Sequence, residues 1–439
     1  MALTILSQPT GYQPCYSIDG DNLSIVVNSS ISYFYNFRYV QTVLVNGATV
    51  SINRIVPNIA SGLGKGVLTP YRILQDYLSY DKHETPSFES HPEGYTEATI
   101  RIGEESDGTI GGTGASFSIT YGATVSLNVW NAANQYGNNI NYQKYINALP
   151  LEPIIYLLTN WNWQDPIRIQ QHESFAFYTL DNIGGTPYTT PYSGPGDMRF
   201  KLRTYSSTGA TTDYIFFPGA TVSPAQISFL CGPTDLAKQA SLGYMRNETT
   251  SSWQTSTPIT SDVTKYVIEY SHYLVSYPQA SYPYTFVIDK TSSCFQEYRI
   301  AWLNDKGGFS FFTFRHISSK NYTTENKEFS KFLSSYQPDD TFGYDIGDRI
   351  RTIFASQTIL STTAATKWLT QAESNHVTEL FRSPAQYLIT TNNNGTLSWD
   401  PIIVTSTGVE ERNVSGLQTN RKLSHTVTFA KSYPIISNI

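Results

Sequence analysis

The sequence predicts a mainly β, multi-domain chain: Ig-like or related β-sandwiches with a few short helices and one longer C-terminal helix. Three observations carry that expectation. Aromatic residues reach 14 %, with 32 Tyr and 22 Phe, while charged residues stop at 15 % against roughly 25 % in an average soluble protein. Tyr, Phe, Thr and Val suit a pleated, half-buried surface better than a solvated helix. Short apolar runs alternate with period two and are cut by Gly, Pro and Asn about every ten residues, the rhythm of a sandwich. The third observation is Tyr298 to Phe314, YRIAWLNDKGGFSFFTF, in which two aromatic runs flank Asn304-Asp305-Lys306-Gly307-Gly308. Such runs joined by a short Gly-bearing insert predict a hairpin. Both faces are apolar, so other elements should cover it on each side.

At 439 residues the chain exceeds one ordinary core. Composition shifts divide it into 1–148, an N-terminal β-sandwich; 149–259, a second sandwich; 260–342, a β-domain carrying the hairpin; and 343–439, a C-terminal α+β region. In the first part, Leu23 to Val27 and Tyr33 to Val40 predict strands. Val43-Leu-Val, Asn46-Gly47 and Ala48-Thr-Val then predict a type I′ hairpin, the most specific short-range turn signal. Arg72 to Leu78 after Pro70 predicts a short helix with Ile73, Leu74 and Leu78 as its stripe. Strands follow at Thr96 to Ile102 and Ser116 to Trp130, with a short helical piece from Asn131.

In the second part, strands are expected at Phe175 to Leu180, Met198 to Tyr205, Tyr214 to Pro218 and Ala225 to Leu230. Thr249 to Ser261 is Ser/Thr-rich and predicts an exposed loop bearing Trp253. Val263 to Val275 and Tyr284 to Ile288 lead to the hairpin, and Lys320 to Tyr336 is expected to be partly helical. Arg349 to Leu360 reads as a strand. The longer helix is expected at Thr362 to Phe381, with Trp368, Leu369, Ala372, Val377 and Leu380 on one face and Ser383-Pro384 ending it. Strands at Gln386, Pro401 and His425 close the chain.

Several of these motifs are similar to those of a known family. The WLN-x-x-GG-F-x-x-F-x-F hairpin resembles one in virion structural proteins of tailed bacteriophages, particularly crAss-like phages and related podoviruses. Phe37-Arg38-Tyr39, Val45-Asn46-Gly47, Gly66-Val67 and Ile73 to Ser79 resemble the N-terminal sandwich of those proteins, in the same order. The ending, a helix followed by Ser383-Pro384 and Pro401-Ile-Ile-Val, resembles their C-terminal region. The resemblance implies a non-enzymatic tail component (ring, collar, hub or baseplate subunit) working in a symmetric oligomer. Its partners would be copies of itself and other virion tail proteins. It would be made in the host cytoplasm and reside in the virion. The rivals are a receptor- or glycan-binding fibre or capsid decoration protein, with host surface glycan as partner, and a β-scaffold glycosidase.

The residues point away from ordinary catalysis. A net charge of −6 provides no basic footprint for nucleic-acid phosphates, and Lys201-Leu202-Arg203 and Arg412 through Lys422 read as solvated charges. No run approaches the roughly 18 apolar residues of a membrane helix, and no secretory leader is expected. Cys15, Cys231 and Cys294 are far apart, with no zinc spacing, and the seven histidines lack HExxH. Gly62 to Gly66 and Gly108 to Gly114 lack the context of a phosphate loop. Asp339, Asp340, Asp345 and Asp348 form the densest acidic cluster and read as a solvated turn rather than a calcium loop. No catalytic, cofactor-binding or metal residue is therefore assigned. Contact residues are assigned instead: Asn304, Asp305, Lys306, Gly307, Gly308 and Trp253, expected to be exposed or interfacial.

Overall fold

The alternating runs do form strands, and a computed structural model of the chain is mainly β, with several sheets and short helices. It describes residues 3–9, 12–17, 23–30, 36–58, 64–80, 82–106, 118–134, 154–181, 198–218, 225–274, 277–291, 294–330, 335–336, 342–343, 351–392, 396–413, 421–433 and 435–438. The acidic cluster at Asp339 to Asp348 and the glycine run at Gly108 to Gly114 lie outside these residues. Two compact units emerge. The first is Met1–Lys290 with Leu303–Ser310 and Thr391–Leu397; the second is Thr291–Trp302, Phe311–Thr390 and Ser398–Ile439.

Within the first unit, a five-stranded sheet runs Tyr12–Ser17, Ser118–Asn134, Tyr95–Ser106, Arg38–Val45, Ala48–Ile55. Its last pair is the predicted hairpin: Val45 faces Ala48, and Asn46 and Gly47 hold φ values of 50° and 80°, the positive pair of a type I′ turn. A three-stranded sheet of Leu3–Ser7, Ile25–Ser29 and Gly66–Leu68 contributes Ile25, Val27 and Leu68 to the same core as Tyr39, Val43, Ile100 and Leu127. The helix Tyr71–Gln75 closes that core through Leu74. The helical piece expected from Asn131 is corrected: Asn131 to Asn134 continue the long strand, whose ladder reaches Trp130 opposite Tyr95.

A second layered region packs a three-stranded sheet, Ala176–Asp181, Ala225–Leu230 and Phe88–His91, beneath a larger sheet centred on Val263–Leu274 and Met198–Ser206. Here the aromatic content is spent. Phe229 stacks on Phe200, Tyr270 and Phe88 with ring centroids 5.2, 5.3 and 5.6 Å apart, and Phe286 stacks on Tyr266 at 4.9 Å. Each such pair contributes about 0.5–1.5 kcal/mol beyond its buried area. A helix at Pro233–Ser241 was not expected from sequence. Its start was signalled by Pro233 in the first turn and by Asp235, whose carboxylate accepts from the Gly232 N–H at 2.9 Å.

Most of the second unit lies in a sheet ordered Phe309–Phe314, Tyr298–Leu303, Gln386–Thr391, Leu397–Asn413, Arg421–Lys431, Arg351–Ala365, Ser318–Ser330. Phe314 and Ser318, at opposite edges, are joined by only Arg315, His316 and Ile317. Four residue steps span at most ~14 Å, whereas a flat sheet of this width would separate its edges by about 29 Å. The sheet must therefore roll, and the His316 N–H donates to the Ala365 carbonyl at 3.0 Å across the gap. Trp302, Phe314, Val377, Leu380, Val427 and Phe429 fill the interior.

The longer C-terminal helix exists but is shorter than expected. Gln371–Thr378 is α-helical and continues as a 3-10 turn to Arg382, while Thr362 to Ala365 finish a strand. The cap is Thr370: its hydroxyl accepts from the Glu373 N–H at 3.3 Å, and the Glu373 carboxylate accepts from the Thr370 N–H at 2.8 Å. Trp368 consequently precedes the helix and is 37 % exposed rather than part of its buried face. Lys320 to Ser330, expected as partly helical, is strand throughout.

Candidate functional site

The predicted contact residues separate into two kinds. In the hairpin turn, Asn304, Gly307 and Gly308 are buried and Asp305 and Lys306 partly so, which corrects the expectation of an exposed turn. The reason is that its polar groups find partners within the first unit, so no desolvation cost opposes burial. The Asn304 side-chain oxygen accepts from the N–H of Lys306 and of Gly308 at 2.9 and 3.2 Å, and its amide donates to the Leu158 carbonyl and Ser310 hydroxyl. The Asn160 amide donates to Asp305 at 2.6 Å, the Lys306 ammonium donates to the Thr159 carbonyl at 2.7 Å, and the Trp130 indole donates to the Lys306 carbonyl at 3.1 Å. Trp253 differs: it is 52 % exposed on the Trp253–Gln254 strand at a sheet edge, its ring centroid 5.7 Å from that of Phe217. The surrounding loop is mostly exposed, apart from buried Pro258 and Ile259.

A long exposed strand was missed by the sequence reading. Ser318–Ser330 pairs in antiparallel register with Arg351–Ala365, from Ser318 opposite Ala364 to Ser330 opposite Arg351. An ordinary surface strand buries alternate residues, yet every residue from Ser319 to Ser330 is exposed. Both faces therefore meet solvent along roughly 40 Å of strand. Tyr322, Phe329 and Phe354 are 63, 46 and 50 % exposed, and Phe329 and Phe354 touch with ring centroids 6.1 Å apart. The outer side of Ser318–Ser330 is the terminal edge of its sheet. The Thr323-Thr324 pair and the Lys/Glu content hid this strand behind a helix-like charge pattern, while its lack of any apolar period was the available signal.

A charged groove of about 450 Å³ lies on the sheet of the first unit, lined by Lys201, Arg203, Tyr205, Asp213, Glu248 and Glu269 among others. Arg203 grips Asp213 with two N–H donors at 2.7 and 2.8 Å, which holds that carboxyl below the usual carboxylate range. Held ionised, Asp213 is not suited to be the proton-donating acid of a glycoside hydrolase. Nearby, Trp163, 36 % exposed, stacks on Tyr282 with centroids 4.5 Å apart and planes 4° from parallel.

Titratable groups converge at one more place. Glu89 and His91 are two apart on the Phe88–His91 strand, so their side chains share a face, and Ser228 lies opposite Glu89 in the neighbouring strand. His83 folds back over them, its N–H donating to the Tyr178 hydroxyl at 3.2 Å. One ligand atom from each of His83, Glu89 and His91 lies within 4.8 Å of the others. The Ser228 oxygen is 2.5 Å from both His83 Nδ1 and His91 Nε2. The histidines are buried, and the Glu89 side chain retains 19 % exposure. In sequence this is only His-x5-Glu-x-His, a spacing of no standard motif; strand geometry makes it a cluster.

No known protein family matches the chain, and no curated protein matches it. Among solved structures, a chain in the tail of an empty gene transfer agent particle, determined by helical refinement with C6 symmetry, aligns at 13 % identity and a TM-score of 0.18. A chain in the virion of a native gene transfer agent particle aligns at 12 % identity and a TM-score of 0.17. Each alignment covers 32 % of this chain and 95 % of the other. Neither likeness reaches the level of a shared fold.

Proposed function

We propose that the chain is a non-enzymatic structural subunit of a tailed-phage virion, a ring, collar, hub or baseplate component of the tail. It belongs with the crAss-like and podovirus proteins its motifs resemble, and it works in a closed symmetric oligomer. The observation that carries the reading is the ribbon of Ser318–Ser330 and Arg351–Ala365, whose outer strand is exposed on both faces. The inner strand is backed by the Arg421–Lys431 strand at Ser361 to Ala365 and by Ile435–Asn438 at Ala355 to Thr358. Among the described residues it is therefore a two-stranded ribbon, marginal in water, at its Arg351 end, while the bare outer edge invites another strand. Both liabilities end if the ribbon is covered by a neighbouring subunit. Burying Tyr322, Phe329 and Phe354 there would contribute about 1.5–3 kcal/mol apiece. Trp253 supplies a second contact, and Asp305 and Lys306 are the partly exposed remainder of the hairpin turn. The N-terminal part, 1–148, holds its own core cluster, which supports reading it as a separate sandwich.

Light scattering on the purified chain and cryo-microscopy of virions test this. A closed ring on the tail axis is expected. The triple variant Tyr322→Ser, Phe329→Ser, Phe354→Ser should fold yet fail to enter particles; normal incorporation would remove the ribbon from the assembly surface.

A second reading has its own observation. The stacked Trp163–Tyr282 pair is a platform of the kind that sugars stack on, which favours a glycan-binding fibre or decoration protein. A monomer that binds host polysaccharide, and loses binding with Trp163→Ala, would replace the tail-ring assignment.

A further inference from the structure

We infer that His83, Glu89 and His91 form a binding site for one zinc-class divalent metal ion, independent of any role in assembly. The His83 tautomer argues first. Its Nε2 lies 2.5 Å from the Thr85 carbonyl oxygen, which only accepts, so that nitrogen carries the hydrogen. In the neutral ring Nδ1 is then bare, and it faces Glu89 and Ser228. A backbone carbonyl that fixes one imidazole nitrogen so the other can ligate is the usual outer-shell arrangement of a metal-bound histidine.

The carboxylate is prepared in the same way. Glu89 Oε1 accepts from the Thr85 N–H at 2.7 Å, and Oε2 accepts from the Glu84 N–H at 2.9 Å. That leaves lone pairs directed at the cluster and places Oε2 3.6 Å from His83 Nδ1. Two ligands of a tetrahedral ion with bonds of about 2.0–2.1 Å sit about 3.4 Å apart, so this pair already has nearly the required separation. His91 Nε2 completes the three. Its present neighbour, the Ser228 hydroxyl, has one proton to share between two imidazole nitrogens, and an ion would satisfy both at once. A water would take the fourth position, since the Ser228 oxygen, 2.5 Å from both imidazole nitrogens, is too close to them to be a co-ligand.

The donor set selects the metal. Two imidazoles and one carboxylate suit zinc, cobalt or nickel, whereas calcium and magnesium take oxygen ligands. One carboxylate offsets half of the ion's charge, and the partly exposed Glu89 marks the way in. Bound there, the ion would pin the Thr85 to His91 segment onto the Ala225–Leu230 strand, a structural role.

The test uses the full chain without an affinity tag, dialysed against chelator and titrated with Zn²⁺ and with Co²⁺. One equivalent per chain is expected, with a visible absorption band from tetrahedral cobalt and a rise of the thermal midpoint by a few degrees. Glu89→Gln, the mildest change because its side chain reaches solvent, should weaken binding by about 100-fold, and His91→Asn should abolish it. Ser228→Ala should retain it, which separates loss of a ligand from loss of the fold. Absence of uptake by the parent chain, or equal uptake by the Glu89→Gln and His91→Asn variants, would overturn the site.

Discussion

The side-chain amide of Asn304 donates to the backbone carbonyl of Leu158 at 3.0 Å, linking residues 146 apart in sequence. Through this bond and three others, one side chain turns a polar hairpin tip into interior. Asn304→Ala removes two donated and two accepted bonds in a buried place, leaving the Lys306 and Gly308 N–H groups unmet. We expect a loss of about 2–4 kcal/mol, read as a lower urea midpoint with an unchanged slope.

Gly307 should be far less replaceable than Gly47, although both have positive φ, 88° and 80°. A Cβ on Gly307 would sit 2.2 Å from the Asn131 carbonyl oxygen, while one on Gly47 meets nothing within 4 Å. Gly47→Ala is therefore expected to cost about 1 kcal/mol and Gly307→Ala more than about 2 kcal/mol. Equal thermal midpoints for the two variants would refute the close packing of the turn.

His425 introduces a pH dependence. It is buried, with Nε2 2.7 Å from the Ser374 hydroxyl, and burial holds its pKa below the ordinary 6.5. The unfolded chain thus takes up this proton at higher pH than the folded one. The associated stability is present above about pH 6.5 and is lost as pH falls below it toward the depressed folded value. His425→Gln should flatten that segment of the curve when unfolding is measured between about pH 7.5 and 5.

The three cysteines should differ in reactivity. Cys294 is exposed, Cys231 is fully buried, and burial pushes the Cys15 thiol up to about 12. Because the thiolate is the reactive form, a thiol reagent should modify one site per native chain and all three after unfolding. Fast modification of Cys15 would show that the core it shares with Tyr39 and Ile100 opens readily.

What the sequence determined by itself was local. The Asn46-Gly47 turn, the Ala225–Leu230 strand and the short helix after Pro70 follow from φ preferences, period-two alternation and a fixed proline dihedral, all properties of a few adjacent residues. The aromatic excess likewise required large buried faces, and the layered core around Phe229 supplies them. The start of the C-terminal helix was placed too early, at Thr362, although the Thr370-x-x-Glu373 capping box marks it.

Tertiary structure decided the rest, because the deciding contacts lie far apart in sequence. Asn304 to Gly308 has the composition of an exposed turn and is buried only because Leu158, Thr159 and Gln226 meet its polar groups. Lys320 to Ser330 has no apolar period of its own and becomes a strand because the Arg351–Ala365 strand offers it a complete ladder. His83 and His91 were two scattered histidines until Ser228, more than 130 residues away, fixed the place where they converge. Propensity acts through neighbours in the chain, whereas burial, pairing and ligation act through neighbours in space, and only the fold brings the second kind together.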